Sequence, residues 1–250
     1  MSNITVLATP DLLLERDLSG SAAAVIDVLR ATSSITTAFS SGCRKLIPAR
    51  SKEEALALQK RNAGALLTGE QGGLKIEGFD LGNSPFEYSP ANVRGRTVIM
   101  TTSNGTKAVL GAFEAGASPV FLCSFLNLSA VARACVAACT QDGATRKDLS
   151  IVCSGSHGEF SLEDFACAGA LAALVASEAG FAPDADAEEA LKTFERYKCD
   201  ALAVMRDSPH GQQLETMGFA EDLVYCAKQS SLEAVPVFSG GAVTLHTNIK

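Results

Sequence analysis

Four acidic side chains, Asp27, Glu70, Glu163 and Asp164, fall in three polar loops or at their edges rather than in charged surface runs. Carboxylates so placed are oxygen ligands for a hard cation. Glu70 sits in Gly69-Glu70-Gln71-Gly72-Gly73, and Gly78 to Pro85 (GFDLGNSP) follows shortly after. Glycines there let the backbone come close to a ligand. Arg30, three positions after Asp27, can grip a phosphate or sulfonate with two parallel N–H donors. Thr32, Ser33 and Ser34 stand where a helix should begin, and free backbone N–H groups at such a point attract anions. Asn104-Gly105-Thr106 holds the matching place in a second segment. Together these residues describe a site for an anionic substrate and a metal.

Each of them also has a plainer role. Asp27 and Arg30 could form a buried internal pair. Ser and Thr most often cap helices, and Asn-Gly is a common turn. Glu163 and Asp164 follow Ser161 as the first turn of a helix does, where acids complement the dipole. His157 is a candidate proton donor, although a lone loop histidine is usually just solvated. Cys135 and Cys139 are four apart in an Ala-rich helical stretch, a poor zinc pattern. No G-x-x-x-x-G-K-[ST] phosphate loop, no G-x-G-x-x-G after a strand and no G-x-S-x-G elbow occurs.

The elements that must hold these residues alternate. Ala22 to Val28 reads as a buried strand interrupted by Asp27, and Thr32 to Ser41 as a helix ended by Gly42. Lys45 to Pro48 is extended, and Ser51 caps the next helix. The pattern returns 74 positions later: Thr32, Ala38, Phe39 and Gly42 match Thr106, Ala112, Phe113 and Gly116. A third unit has a strand at Leu149 to Cys153, a loop at 154–160 and an apolar helix from Leu162 to about Ala179. Asp184 to Asp207 predicts one or two charged surface helices, and Gly211 to Cys226 another helical stretch. Val235 to Phe238 and Ala242 to Thr247 read as edge strands. This grammar predicts one α/β domain over 1–250, with much parallel pairing and ligands beyond the carboxyl ends of the strands.

Composition sets the outer bounds. The chain has 250 residues, is 47% hydrophobic and carries a formal charge of −7, with no Lys/Arg run long enough for a nucleic-acid stripe. No uninterrupted apolar run reaches the length of a membrane span. Eight cysteines without a secretion signal predict free thiols in the cytoplasm.

Five ordered stretches carry a resemblance that spans nearly the whole chain: Asp27-Val28-Leu29-Arg30-Ala31-Thr32-Ser33, Gly69-Glu70, Gly78 to Pro85, Thr101 to Thr106, and Phe160 to Gly169 (FSLEDFACAG). They resemble the 2-phosphosulfolactate phosphatase family, the ComB-like proteins. The resemblance implies a three-layer α/β/α fold with a largely parallel or mixed sheet. It implies a magnesium-dependent phosphatase converting 2-phospho-3-sulfolactate to 3-sulfolactate and phosphate, a step toward coenzyme M. The metal would fall to Asp27, Glu70, Glu163 and Asp164, and catalysis to Asp27, Arg30, Glu163 and Asp164. Substrate would meet Arg30, Thr32, Ser33, Asn83, Ser84, Asn104, Gly105 and Thr106. Gln71 departs from the pattern, in which Arg is expected. Leu29 stands where an aspartyl-nucleophile phosphatase of the haloacid-dehalogenase type has its second Asp, so metal-activated water is the expected nucleophile. A phosphatase for another small phosphorylated hydroxy acid and a non-catalytic anion binder are the alternatives, and homo-oligomerisation stays open.

Overall fold

A computed structural model describes residues 1–14, 16–140, 146–178 and 180–247. In the first half, β1 (Ser2–Leu7) and β2 (Ala22–Ile26) precede α1 (Ala31–Ser40), β3 (Lys45–Pro48) and α2 (Lys52–Arg61). The hairpin β4 (Leu66–Gln71) and β5 (Leu74–Lys75), the short α3 (Pro90–Val93), β6 (Thr97–Thr101) and α4 (Gly105–Glu114) follow. The second half runs β7 (Val120–Cys123), α5 (Leu128–Cys139), β8 (Leu149–Cys153), α6 (Leu162–Ala176), β9 (Phe181–Pro183) and α7 (Ala185–Arg196). It ends with α8 (Ala201–Asp207), α9 (Pro209–Thr216), α10 (Ala220–Cys226), β10 (Pro236–Ser239) and β11 (Ala242–Leu245). The expected end of the α6 helix at Ala179 lies outside the described residues.

The strands form one mixed sheet in the order β5-β4-β6-β3-β11-β10-β7-β2-β8-β1-β9. Helices cover both faces, which makes the three layers. Strand alternation shows it directly: in β2, Ala22, Ala24 and Ile26 point into the core under α5, α6 and α7, while Ala23 and Val25 point toward α1 and α4. A strand buried on both faces has no polar side, so β2 reads as a continuous apolar run.

Two sequence expectations are corrected. The two C-terminal strands are not edges: β10 and β11 form an antiparallel hairpin in the middle of the sheet, between β7 and β3. Pro236 is the first residue of its strand, a position where the missing N–H is tolerated. The stretch at Gly69 is not an open loop either, because Glu70 and Gln71 belong to β4, with the turn at Gly72-Gly73.

The hairpin also reverses direction. The β4-β6-β3 block is parallel within itself, as is the β7-β2-β8-β1-β9 block, but antiparallel pairing through β10 and β11 sets one against the other. The polar loops of the two blocks nevertheless meet: Gly105, after β6, lies against Asp27, after β2, and Asn104 Oδ1 accepts the His157 amide from the loop after β8.

The 74-residue repeat is wiring. Thr32 Oγ1 donates to Asp27 O at 2.8 Å and accepts from Asp27 N at 3.1 Å. Thr106 Oγ1 makes the same two bonds with Thr102, at 3.2 and 3.3 Å. At the other ends, Gly42 and Gly116 both have positive φ, with the amide of each bonded to Phe39 and Phe113. The next amides, Cys43 and Ala117, reach back to Ala38 and Ala112. All four matched positions thus serve one unit: a threonine brace at the entry of the helix and a Schellman cap at its exit.

Helices α6 and α7 pack closely at Gly169, where an added Cβ would lie 2.2 Å from the Ala190 carbonyl. Gly169→Ala is expected to cost about 1–3 kcal/mol or more through overpacking. A urea midpoint equal to that of the parent protein would refute this close contact.

Candidate active site

The loops after β2, β4, β6 and β8 converge on a cleft, with α9 and α10 closing it from the C-terminal side. Its narrow inner recess, about 20 Å³, is lined by Asp27, Arg30, Glu70, Asn83, Asn104 and His210 among others. It adjoins a wider groove of about 950 Å³ whose walls include Arg50, Lys52, Lys107, Ser103, Asn104 and Ser154. The recess has room for about one water molecule.

Asp27 follows β2 immediately and is buried. Its Oδ1 accepts the Ala31 amide at 3.0 Å, and the Gly105 backbone lies against Oδ2. A Cβ on Gly105 would stand 2.5 Å from that oxygen, so only glycine lets α4 begin there. Burial, then the nearby charges of Glu70 and Glu163, push Asp27 up from 3.8 to about 7 against the pull of the two amides.

Asp164 is buried at the start of α6, where Ser161 caps the helix by accepting the Asp164 amide at 3.3 Å. Its two oxygens accept backbone N–H groups from different loops, Val28 at 2.8 Å and Gly155 at 3.2 Å. It therefore clamps the β2 loop to the β8 loop. Burial and the charges of Asp27 and Glu163 hold its carboxyl well above the usual range. Glu70 is similarly engaged, by Ser103 N and Gly73 N, each at 2.7 Å. Glu163, also buried, accepts no hydrogen bond among the described residues, and its charge acts on Asp27, Asp164 and His210.

Arg30 is buried, and its partner is not Asp27. Nη1 donates to Asp222 at 2.7 Å, Nη2 donates to Gly73 O at 2.6 Å, and the guanidinium lies 4.2 Å from the centre of the Phe219 ring. Ser84 donates to the other oxygen of Asp222 at 2.7 Å. Five donors on a guanidinium leave Arg30 more to offer the recess it lines.

The hydroxyls of Thr32, Ser33 and Ser34 turn to backbone carbonyls, those of Asp27, Val28 and Asn83. They shape the entry to α1, and Thr106 does likewise for α4. Asn104 Oδ1 accepts the His157 amide at 3.1 Å, joining the β6 and β8 loops. Of five buried side-chain polar atoms without a hydrogen-bond partner among the described residues, two belong to residues of the cleft: Asn83 Oδ1, of the recess lining, and Ser154 Oγ, of the groove wall. Unpaired buried polar atoms are costly, so both mark places where a ligand or water completes the bonding.

Sequence reasoning missed His210, Asp222 and Ser103. His210 looks like part of a helix start, Ser208-Pro209-His210-Gly211, and Asp222 like a dipole-complementing acid in the first turn of α10. Only the fold brings them to loops on the far side of the sequence. Ser103 lay within a polar stretch already singled out, but nothing local pointed it at Glu70.

The residues fit a divalent cation by charge. Asp27 and Glu70 line the recess, Glu163 and Asp164 are buried close enough for the charges of the group to act on one another, and the arginine in the lining is already paired with Asp222. Among the described residues no three His, Cys, Asp or Glu side chains converge closely enough to hold a metal by themselves. Magnesium suits that arrangement, since it takes one or two carboxylates and completes its shell with water and substrate oxygens.

Two stability outcomes follow from these contacts. Asp222→Ala leaves the Arg30 charge buried and unpaired, at an expected cost of about 3–5 kcal/mol; unchanged thermal unfolding would show that the pair is idle. Asp27→Asn works the other way in metal-free protein. Below pH 3.8 both states hold the Asp27 proton; as pH rises toward about 7 the unfolded chain releases it and the fold does not, so stability is lost. The Asn variant escapes that loss. Its advantage should be absent near pH 3 and grow to the order of a few kcal/mol by pH 7; a constant difference across that range would contradict the buried-acid account.

The sequence profile of the family described as 2-phosphosulpholactate phosphatase matches residues 7–241. The chain is 39% identical over 237 residues to a probable 2-phosphosulfolactate phosphatase of Symbiobacterium thermophilum, covering 92% of this chain and 96% of that protein. A protein of the same description from Caldanaerobacter subterraneus is 39% identical over 231 residues, 92% of each chain. One from Clostridium acetobutylicum is 36% identical over 241 residues, 96% of this chain and 99% of that one. The chain belongs to the 2-phosphosulfolactate phosphatase family.

Proposed function

We propose that this protein hydrolyses 2-phospho-3-sulfolactate to 3-sulfolactate and phosphate with the help of magnesium. The observation that carries the reading is the buried group of four carboxylates beside anion-binding donors, in a chain of this family. A protein that only binds anions has no use for a cluster that repels them.

Phosphoryl transfer is governed by positioning and by neutralising charge. Asp27 and Glu70, which line the recess, and the neighbouring Glu163 and Asp164 are the residues that would hold the cation; of the four, only Glu163 has a carboxylate that accepts no backbone amide among the described residues. When bound, the cation supplies charge neutralisation and a more acidic water as nucleophile. Arg30 offers N–H donors to the phosphoryl oxygens from a fork held rigid by Asp222 and Gly73. Asn83 and Asn104 line the same recess and orient the ester. The small recess has room for one attacking water, while the adjoining groove takes the substrate. The groove lining mixes Arg50, Lys52 and Lys107 with Asp11 and Glu53, and Lys107 is the cation in it best placed to meet a carboxylate or sulfonate, since Arg50 is paired with Glu114 and Lys52 donates to Glu77 O.

No helix among the described residues is long and apolar enough to cross a membrane. The eight cysteines are all free thiols, which supports work in the reducing cytoplasm.

Phosphate release from a panel of phosphorylated hydroxy acids, with and without magnesium, tests both parts. The phosphosulfolactate is expected to be the best substrate, and excess chelator to abolish turnover. Full turnover in chelator would remove the metal, and absence of phosphate release from every compound would remove the phosphatase.

A further inference from the structure

His210 has no part in the proposal so far, yet it lines the inner recess with Asp27, Arg30 and Glu70. The chain places it with care. Ser208, fully buried, donates to Met205 O at 2.9 Å and accepts the Gly211 amide at 3.0 Å. A Cβ on Gly211 would meet Met205 O at 1.8 Å. The α8–α9 corner is therefore fixed, and with it the backbone that carries His210 between its serine cap and its glycine. Ser156 Oγ lies 3.5 Å from Nδ1, which leaves Nε2 without a protein partner among the described residues. His157, the histidine that the sequence brings to notice, also borders the recess, but it is exposed and its one hydrogen bond to the site is through its backbone amide.

We infer that His210 is the general acid of the reaction, donating a proton from Nε2 to the ester oxygen as it leaves phosphorus. This rests on the phosphatase reading above. A secondary alkoxide is a poor leaving group, and a placed proton donor is the usual remedy. The bond from phosphorus to the ester oxygen breaks, and one forms from phosphorus to the water oxygen. The imidazolium proton goes to the departing oxygen. The proton lost by the attacking water passes to solvent, and solvent reprotonates the ring. Burial holds the free imidazole below its ordinary value, while the Glu163 and Glu70 charges oppose that and Arg30 and His157 reinforce it. A phosphate dianion arriving beside the ring adds negative charge and favours the imidazolium.

Substrates with different leaving groups separate this role from a structural one. With magnesium present, His210→Gln is expected to lose about 10²–10⁴-fold in kcat on the phosphosulfolactate. On 4-nitrophenyl phosphate, whose leaving group needs no proton, the loss should be far smaller. In His210→Ala, added imidazole should restore alkyl phosphate hydrolysis in proportion to its acid form. Equal losses on both esters with no imidazole rescue, or full alkyl phosphatase activity in the Gln variant, would overturn the assignment. Hydrolysis of neither ester by the parent protein would instead bring down the phosphatase reading and the assignment with it.

Discussion

Burying negative charge is costly, and most of the site can be read as the means of tolerating it. Asp27, Glu70, Glu163 and Asp164 are withdrawn from water within reach of one another's fields. Backbone amides take most of the load: Ala31 and Gly105 at Asp27, Val28 and Gly155 at Asp164, Ser103 and Gly73 at Glu70. Each of those amides comes from a loop held by something else, so the polarity of the cleft and the packing of the sheet are one problem. The threonine braces fix the loop ends, glycine at 105 lets α4 approach, and Asp164 draws the β2 and β8 loops together.

What remains uncompensated is informative. Glu163 is the acid that the backbone does not neutralise, and Asn83 Oδ1 and Ser154 Oγ are polar atoms left without partners. A fold rarely leaves such groups idle. In the proposed reaction they are the positions where cation, substrate and water would replace protein as the source of counter-charge and hydrogen bonds.

Much of the architecture was legible because its signals are local. The Ser51 cap, the Gly42 and Gly116 stops, and the apolar runs at Lys45 to Pro48 and Leu149 to Cys153 depend on neighbours in the chain. The acid cluster was legible too, since a carboxylate against an apolar strand has few innocent explanations. Pairing across the chain was not. The β10–β11 hairpin shows the same short apolar runs whether it lies at an edge or at the centre, and sheet order depends on partners far away in sequence. Arg30 was seen as an anion donor or a partner of Asp27; its partner in the fold is Asp222, in a helix whose own sequence calls only for a dipole-complementing acid. His210 was hidden for the same reason.

The Arg30–Asp222 contact spans 192 positions. On a ribosome, the first half of the cleft emerges long before the residue that neutralises its arginine. Until α9 and α10 have left the exit tunnel and docked, the recess lacks the side of its lining that α9 supplies and that cation stays unmatched. The assembled pocket is therefore a report on translation itself: a chain cut short before its last two strands and the preceding helices keeps the conspicuous motifs yet lacks the finished cavity.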